Sequence, residues 1–154
     1  MNNVQTIESR IPPMSAEAVN KVEQLTEFVK AMPQFPLETH HVIHGGMYCR
    51  TITMPPNHVL TGALVKVSTI LVINGVATCY IGEETIAEIA GYGVISASAG
   101  RKQAFVSHSK TDISMVFPTN AKTVFEAEQE FTDESDLLLS RSDIGSNIVT
   151  ITGE

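Results

Sequence analysis

The sequence is short of basic residues, of cysteine and of long apolar runs, and each shortage closes a class of function. Ten Lys and Arg against seventeen Asp and Glu leave a net charge of -7 over 154 residues. That balance disfavours a nucleic-acid polymer or an anionic membrane as partner. No apolar run approaches the ~20 residues that cross a bilayer, and the start MNNVQTIESR lacks a basic-then-apolar signal pattern. A soluble, cytoplasmic chain is expected. The two cysteines, Cys49 and Cys79, lie in apolar runs without Cys-x-x-Cys or zinc spacing, so buried free thiols in a reducing compartment are expected rather than a disulfide. Also missing are a Gly-x-Ser-x-Gly elbow, a Gly-rich phosphate loop, an internal repeat and a low-complexity tract. Between His58 and Ile81 there is no His, Asp or Glu at all.

What is present reads as one domain with an N-terminal helix and many short strands. Residues 1–13 are polar and end in Pro12-Pro13, which predicts a flexible or loosely docked arm. Residues 14–36 hold the helix and a loop: Ser15 is a candidate N-cap, Glu17 sits in the first turn and Pro33 follows the end. Ala18, Val22, Leu25, Val29 and Met32 are spaced four, three, four, three, drawing one apolar stripe. It is expected to cover a barrel face or to pair with another subunit.

From residue 37 to 131 the period becomes alternating. Stretches such as THHVIH, MYCRTITM, HVLTGALVKVS, TILVING, VATCYIG, QAFVSHS and DISMVFP are rich in Val, Ile and Thr and punctuated by Gly, Pro and Asn. Roughly nine strands at this spacing predict an antiparallel sandwich or barrel. Asn74-Gly75 is the strongest hairpin signal, followed by the turns GEE at 82–84 and GYG at 91–93. Residues 132–154 are expected as an acidic, polar tail, with NIVTIT available as a late strand. Glu126, Glu128, Glu130, Asp133 and Glu134 are expected on a solvated acidic surface.

The order GGMYCRTITMPPNHVLTGALVKVSTILVINGVATCYI, then AGYGVISASAGRKQAFVSHSKTDISMVFPT, resembles the small single-domain cupins, often encoded by bacteriophages. GMYCRTITMPPN resembles their first strand and turn, and SASAGRKQAF their second glycine motif. The resemblance implies a mainly β, cupin-like antiparallel jelly-roll barrel with an N-terminal α-helix, and homo-oligomers. It also implies a first-row transition metal held by two His and a Glu on the first hairpin and a His after the second glycine. Here those places hold Val65, Lys66, Val67, Ser68 and Thr69, and Gln103. Valine cannot ligate a metal and Lys66 opposes a bound cation. No metal or other cofactor and no catalytic residue is therefore expected. If HHVIH is extended, His40 and His44 share a face and His41 points away, ~13 Å separating the outer two, too far to share one ion.

A barrel without a metal can still bind. Alternation puts Tyr48, Arg50, Ile52 and Met54 on one face of MYCRTITM. Facing inward, Tyr48 offers an aromatic platform and Arg50 a fork for a carboxylate or phosphate. With Lys66, Ser68, Arg101, Lys102, Gln103 and His108 they form the candidate site for an anionic small molecule, a metabolite or signalling nucleotide. A small phage protein could use such a site to withhold a signal from host defence. In the competing reading Arg50 pairs with Glu83, Glu84 or Glu88 on the outside and Arg101-Lys102 is an exposed turn. Other functions left open are a metal-dependent isomerase or dioxygenase, a jelly-roll inhibitor of a host protein, and a virion component.

Overall fold

The structure, a computed structural model, describes residues 3–6 and 10–154. In order they form β1 (Asn3–Thr6), β2 (Arg10–Ile11), α1 (Ala16–Lys30), β3 (Glu38–His44), β4 (Met47–Met54), β5 (Val59–Thr61), β6 (Thr69–Gly82), β7 (Thr85–Ala97), β8 (Ala104–Ser107), β9 (Thr111–Pro118), α2 (Val124–Phe131) and β10 (Ser146–Ile151). Three antiparallel pairs nest inside one another: β6 with β7, β5 with β8, and β4 with β9. A long hairpin wrapped in this way is a jelly roll, so the mainly β barrel with an N-terminal helix is the architecture of the chain.

Of the three hairpin signals, local propensity placed the turn at 82–84 correctly and the other two wrongly. Asn74-Gly75 and Gly91-Tyr92-Gly93 are not turns; Asn74 pairs with Tyr92 and Gly75 with Gly91 in the middle of one ladder. The turn is the one expected at 82–84, with Glu83 and Glu84 both at positive φ (53° and 56°). The reason is tertiary. Residues 70–74 of β6 pair with β9, whereas residues 77–80 pair with β8, so the ribbon passes from one sheet to the other at Gly75. There φ is 149°, and a Cβ would lie 2.7 Å from Thr111 Cα, a space only glycine tolerates. The expected strand HVLTGALVKVS likewise shortens to β5, and residues 62–68 form a loop tied by one bridge between Val65 and Arg101.

Alternation is clearest in β6 and β9. Thr69, Leu71, Ile73, Ala77, Cys79 and Ile81 of β6 are buried, as are Thr111, Ile113, Met115 and Phe117 of β9, and the two sets meet in the core. Helix α1 begins as expected, Ser15 Oγ accepting from Ala18 N at 3.1 Å, a cap worth ~1 kcal/mol. Its stripe covers the barrel only at its start: Ala18 and Val22 are buried while Met32 is 49% exposed.

The described segments near both termini pair with the barrel. Strands β1 and β2 lie parallel to β7; the expectation of a flexible arm for residues 1, 2 and 7–9 falls outside the described residues. The polar segment 132–154 contains two 3-10 turns, Ser135–Leu137 and Leu139–Arg141, and the late strand available in NIVTIT forms as β10, which pairs parallel with β3 of its own chain.

Candidate functional site

The Tyr48 and Arg50 face of β4 does point inward, but Arg50 is already engaged. Its Nη1 donates to Glu128 Oε2 at 2.7 Å and its Nη2 to Ser140 Oγ at 3.0 Å. Ser140 Oγ donates to the same carboxylate at 2.6 Å, and Arg141 Nε donates to its other oxygen at 2.9 Å. Glu128 is thus no surface acid: it is 2% exposed, because Ala127, Glu128 and Phe131 form the face by which α2 packs on the barrel. Burial alone would raise its pKa, but Ser140, Arg141 and Arg50 together outweigh that and hold the carboxyl below its ordinary range.

The network continues to β10. Asn147 Nδ2 donates to Ser140 O at 2.8 Å, which turns its Oδ1 towards His41 Nε2 at 2.6 Å. His41 Nε2 therefore carries the proton, and Nδ1 accepts from the Tyr48 hydroxyl at 2.7 Å. Burial lowers the His41 pKa and pushes the Tyr48 hydroxyl up to about 12. Both remain neutral beside the two arginines, whose charges are met by Glu128 and, on Arg141, by Asp136 at 3.1 Å.

Arg101 is the second inward cation, and it is not an exposed turn. It is 1% exposed, with Nε on Gln103 Oε1 (3.1 Å), Nη1 on Ser98 O (2.7 Å) and Nη2 on Thr69 Oγ1 (2.7 Å). Each of these partners is neutral, and burial lowers the Arg101 pKa to about 10. Gln103 Nε2 also reaches Cys79 Sγ at 3.4 Å, and burial pushes that thiol up to about 12, too high for a nucleophile. Met115 joins the two arginines: it is the register partner of Arg50, and its sulfur lies 3.9 Å from Arg101 Nη2.

The remaining candidates lie apart from this interior. Lys66 and Ser68 are exposed, and Lys66 Nζ pairs with Asp133 at 2.6 Å. Lys102 is buried against Glu134 (3.0 Å), at the wall of a groove of about 350 Å³ that also holds Glu23 and Glu27. His108 faces outward, its Nε2 at 2.7 Å from Thr78 Oγ1, not into a pocket. Lys66, Ser68, Lys102 and His108 thus do not join Arg50 and Arg101 in one site. A carboxylate stands beside both lysines, and Arg50 pairs with Glu128 rather than with Glu83, Glu84 or Glu88.

His40 and His44 are exposed and His41 buried, as alternation required; His40 pairs with Glu38 and His44 lies by Thr152. Among the described residues no three His, Cys, Asp or Glu side chains converge as a metal site. The interior donor set of a guanidinium, an amide, a hydroxyl and a protonated thiol does not fit the transition metal that the resemblance implied. Glu128, Ser140, Arg141 and Asn147 escaped the sequence reading. The available signal was the placing of Glu128 between Ala127 and Phe131, apolar residues four apart.

No protein-family profile matches the sequence, and no curated protein matches it. Among solved structures the chain is similar to a cupin superfamily protein from Desulfitobacterium hafniense, at 8% identity and a TM-score of 0.42 over 51% of this chain and 72% of that one. It is also similar to the cupin domain of Cnp3 from Schizosaccharomyces pombe, at 9% identity and a TM-score of 0.45 over 60% and 67%. A third is the cupin domain of an XRE family transcriptional regulator from Enterobacter cloacae, at 14% identity and a TM-score of 0.39 over 47% and 83%. The jelly-roll architecture itself rests on the nested strand pairing of this chain.

Proposed function

We propose that this chain is a non-enzymatic jelly-roll binding protein that takes an anionic small molecule, a metabolite or signalling nucleotide, at the barrel mouth between Arg50 and Arg101. The observation that carries the reading is the Arg101 guanidinium, buried with only neutral partners. Such a cation sits in a low-dielectric interior at a free-energy cost that an incoming anion offsets. Glu128 already shows the chemistry: a carboxylate seated on the fork of Arg50 beside a serine hydroxyl. The ligand's carboxylate or phosphate takes that place, and α2 with the 3-10 turns behind it moves aside to admit it. Capture without turnover suits a chain that withholds a signal from another pathway.

Thermal unfolding of the full chain, titrated with inorganic phosphate, citrate, sugar phosphates and linear and cyclic nucleotides, tests this. At a hundredfold excess over Kd, one anion class should stabilise the fold by ~2.7 kcal/mol, a rise in Tm of about 5–10 °C for this size. Glu128→Gln, which frees Arg50, should bind that anion more tightly. The reading fails if no anion shifts Tm, or if the shift persists in both Arg50→Gln and Arg101→Gln proteins that retain the wild-type circular dichroism.

A further inference from the structure

Helix α2 carries two side chains into the barrel mouth together. Glu128 and Phe131 stand three residues apart on one face of the helix, and they are 2% and 3% exposed. Both meet Arg50. Its Nη1 donates to the Glu128 carboxylate at 2.7 Å, and its guanidinium carbon lies over the Phe131 ring, 5.5 Å from the centroid. The ring in turn meets Phe117 edge-on at 6.1 Å, and Phe117 meets Tyr48 in the same way at 5.5 Å, contacts that favour aromatic rings beyond the area they bury. One cation thus holds an anion and a ring from a single helical turn.

We infer, resting on the anion site proposed above, that its ligand is an aromatic carboxylic acid whose ring and carboxylate, joined by a short chain, take the places of Phe131 and Glu128. Hydrogen bonding selects the carboxylate. Oε2 of Glu128 accepts from Arg50 and Ser140 and Oε1 accepts from Arg141, so two oxygens engage all three donors. A phosphoryl group brings a further oxygen to this place. The Tyr48 hydroxyl there, 3.4 Å from Arg50 Nη1, gives its proton to His41 Nδ1 and presents a lone pair. The walls select the ring: a saturated ring of similar size fills the space of Phe131 but forgoes the guanidinium and the edge of Phe117. Arg101, beyond Met115, adds its charge to the attraction without a contact. Because a segment of the same chain occupies the place first, ligand binding and closure by α2 exclude each other.

Calorimetric titration of the full chain with phenylpropionate, cyclohexylpropionate and phenyl phosphate tests the assignment. Phenylpropionate should bind about threefold more tightly than cyclohexylpropionate and about tenfold more tightly than phenyl phosphate. Phe131→Leu keeps an apolar side chain and withdraws the competing ring, so it should bind phenylpropionate about threefold more tightly than wild type. Arg50→Gln should bind it about tenfold more weakly. The comparison of the three ligands needs only the wild-type chain and stands if either variant fails to fold. Phenyl phosphate or a nucleotide binding at Arg50 where phenylpropionate does not overturns the aromatic acid and leaves the anion site in place. Equal binding of cyclohexylpropionate, or binding of phenylpropionate that Arg50→Gln leaves unchanged, overturns it as well. If no anion of any class binds, the site and its aromatic ligand fall together.

Discussion

Glu128 and Asp133 sit five residues apart in one acidic run, yet their surroundings make them different in kind. Asp133 meets Lys66 at 2.6 Å with side chains 87% and 43% exposed; water screens that pair, and exposed pairs contribute ~0–1 kcal/mol. Glu128 is enclosed between two arginines and a serine, so removing its charge leaves the largely enclosed Arg50 without a carboxylate and Arg141 with Asp136 alone. Glu128→Gln should therefore destabilise the fold by about 3–5 kcal/mol, whereas Asp133→Asn should change it by less than ~0.5 kcal/mol; urea midpoints of the two variants check the contrast. The Arg50 to Glu128 contact spans 78 positions. No local pattern can pair residues that far apart, which is why the alternation of β4 put Tyr48 and Arg50 on one face but gave neither its inward direction nor the partner of Arg50.

At the scale of elements, local signals succeeded where nothing stronger opposed them. The four-three spacing and the Ser15 cap of α1 describe a helix whatever it packs against, and the alternation of β3 and β9 describes strands with one buried side. Asn74-Gly75 failed because β7, β8 and β9 all pair with β6 on either side of it, and continuous ladders outweigh one turn preference. The real turn is paired with unsuitable residues: Glu83 and Glu84 hold left-handed φ, which costs ~1–2 kcal/mol per L-residue. Replacing them with Asn-Gly should raise stability by about 1 kcal/mol, seen as a Tm increase of ~2–4 °C. The exposed Lys21 to Glu84 pair that is lost subtracts little. A fall in Tm would show that this turn is relaxed as it stands.

For the whole molecule, the groups that tie the C-terminal segment to the barrel respond to acid with the same sign. His41, Glu128 and Glu134 all have pKa values lowered by folding. For His41 the cause is burial. For Glu128 and Glu134 burial acts the other way and is outweighed, in Glu134 by the Leu64 amide and Lys102. A lowered pKa means that the unfolded chain takes up the proton first, so each contribution is present above the unfolded value and is lost as pH falls through the folded one. Stability should decline below the ordinary histidine value of 6.5 and again, more steeply, below the carboxyl value of 4.5. Urea midpoints across pH 4–8 check this, and His41→Gln should flatten the upper part of the decline while leaving the lower part.

The sequence by itself determined the elements with a strong period, that Tyr48 and Arg50 share one face of their strand, and the lack of metal ligands on the first hairpin, because each depends only on the order of neighbouring residues and on what a side chain can ligate. Tertiary structure alone decided that Arg101 is buried without a carboxylate, that Lys66 and His108 stand outside, and that Glu128 closes the mouth. Those outcomes depend on which distant strands and helices meet. In a barrel built from nested pairs, a side chain's surroundings come mostly from residues far away in the chain.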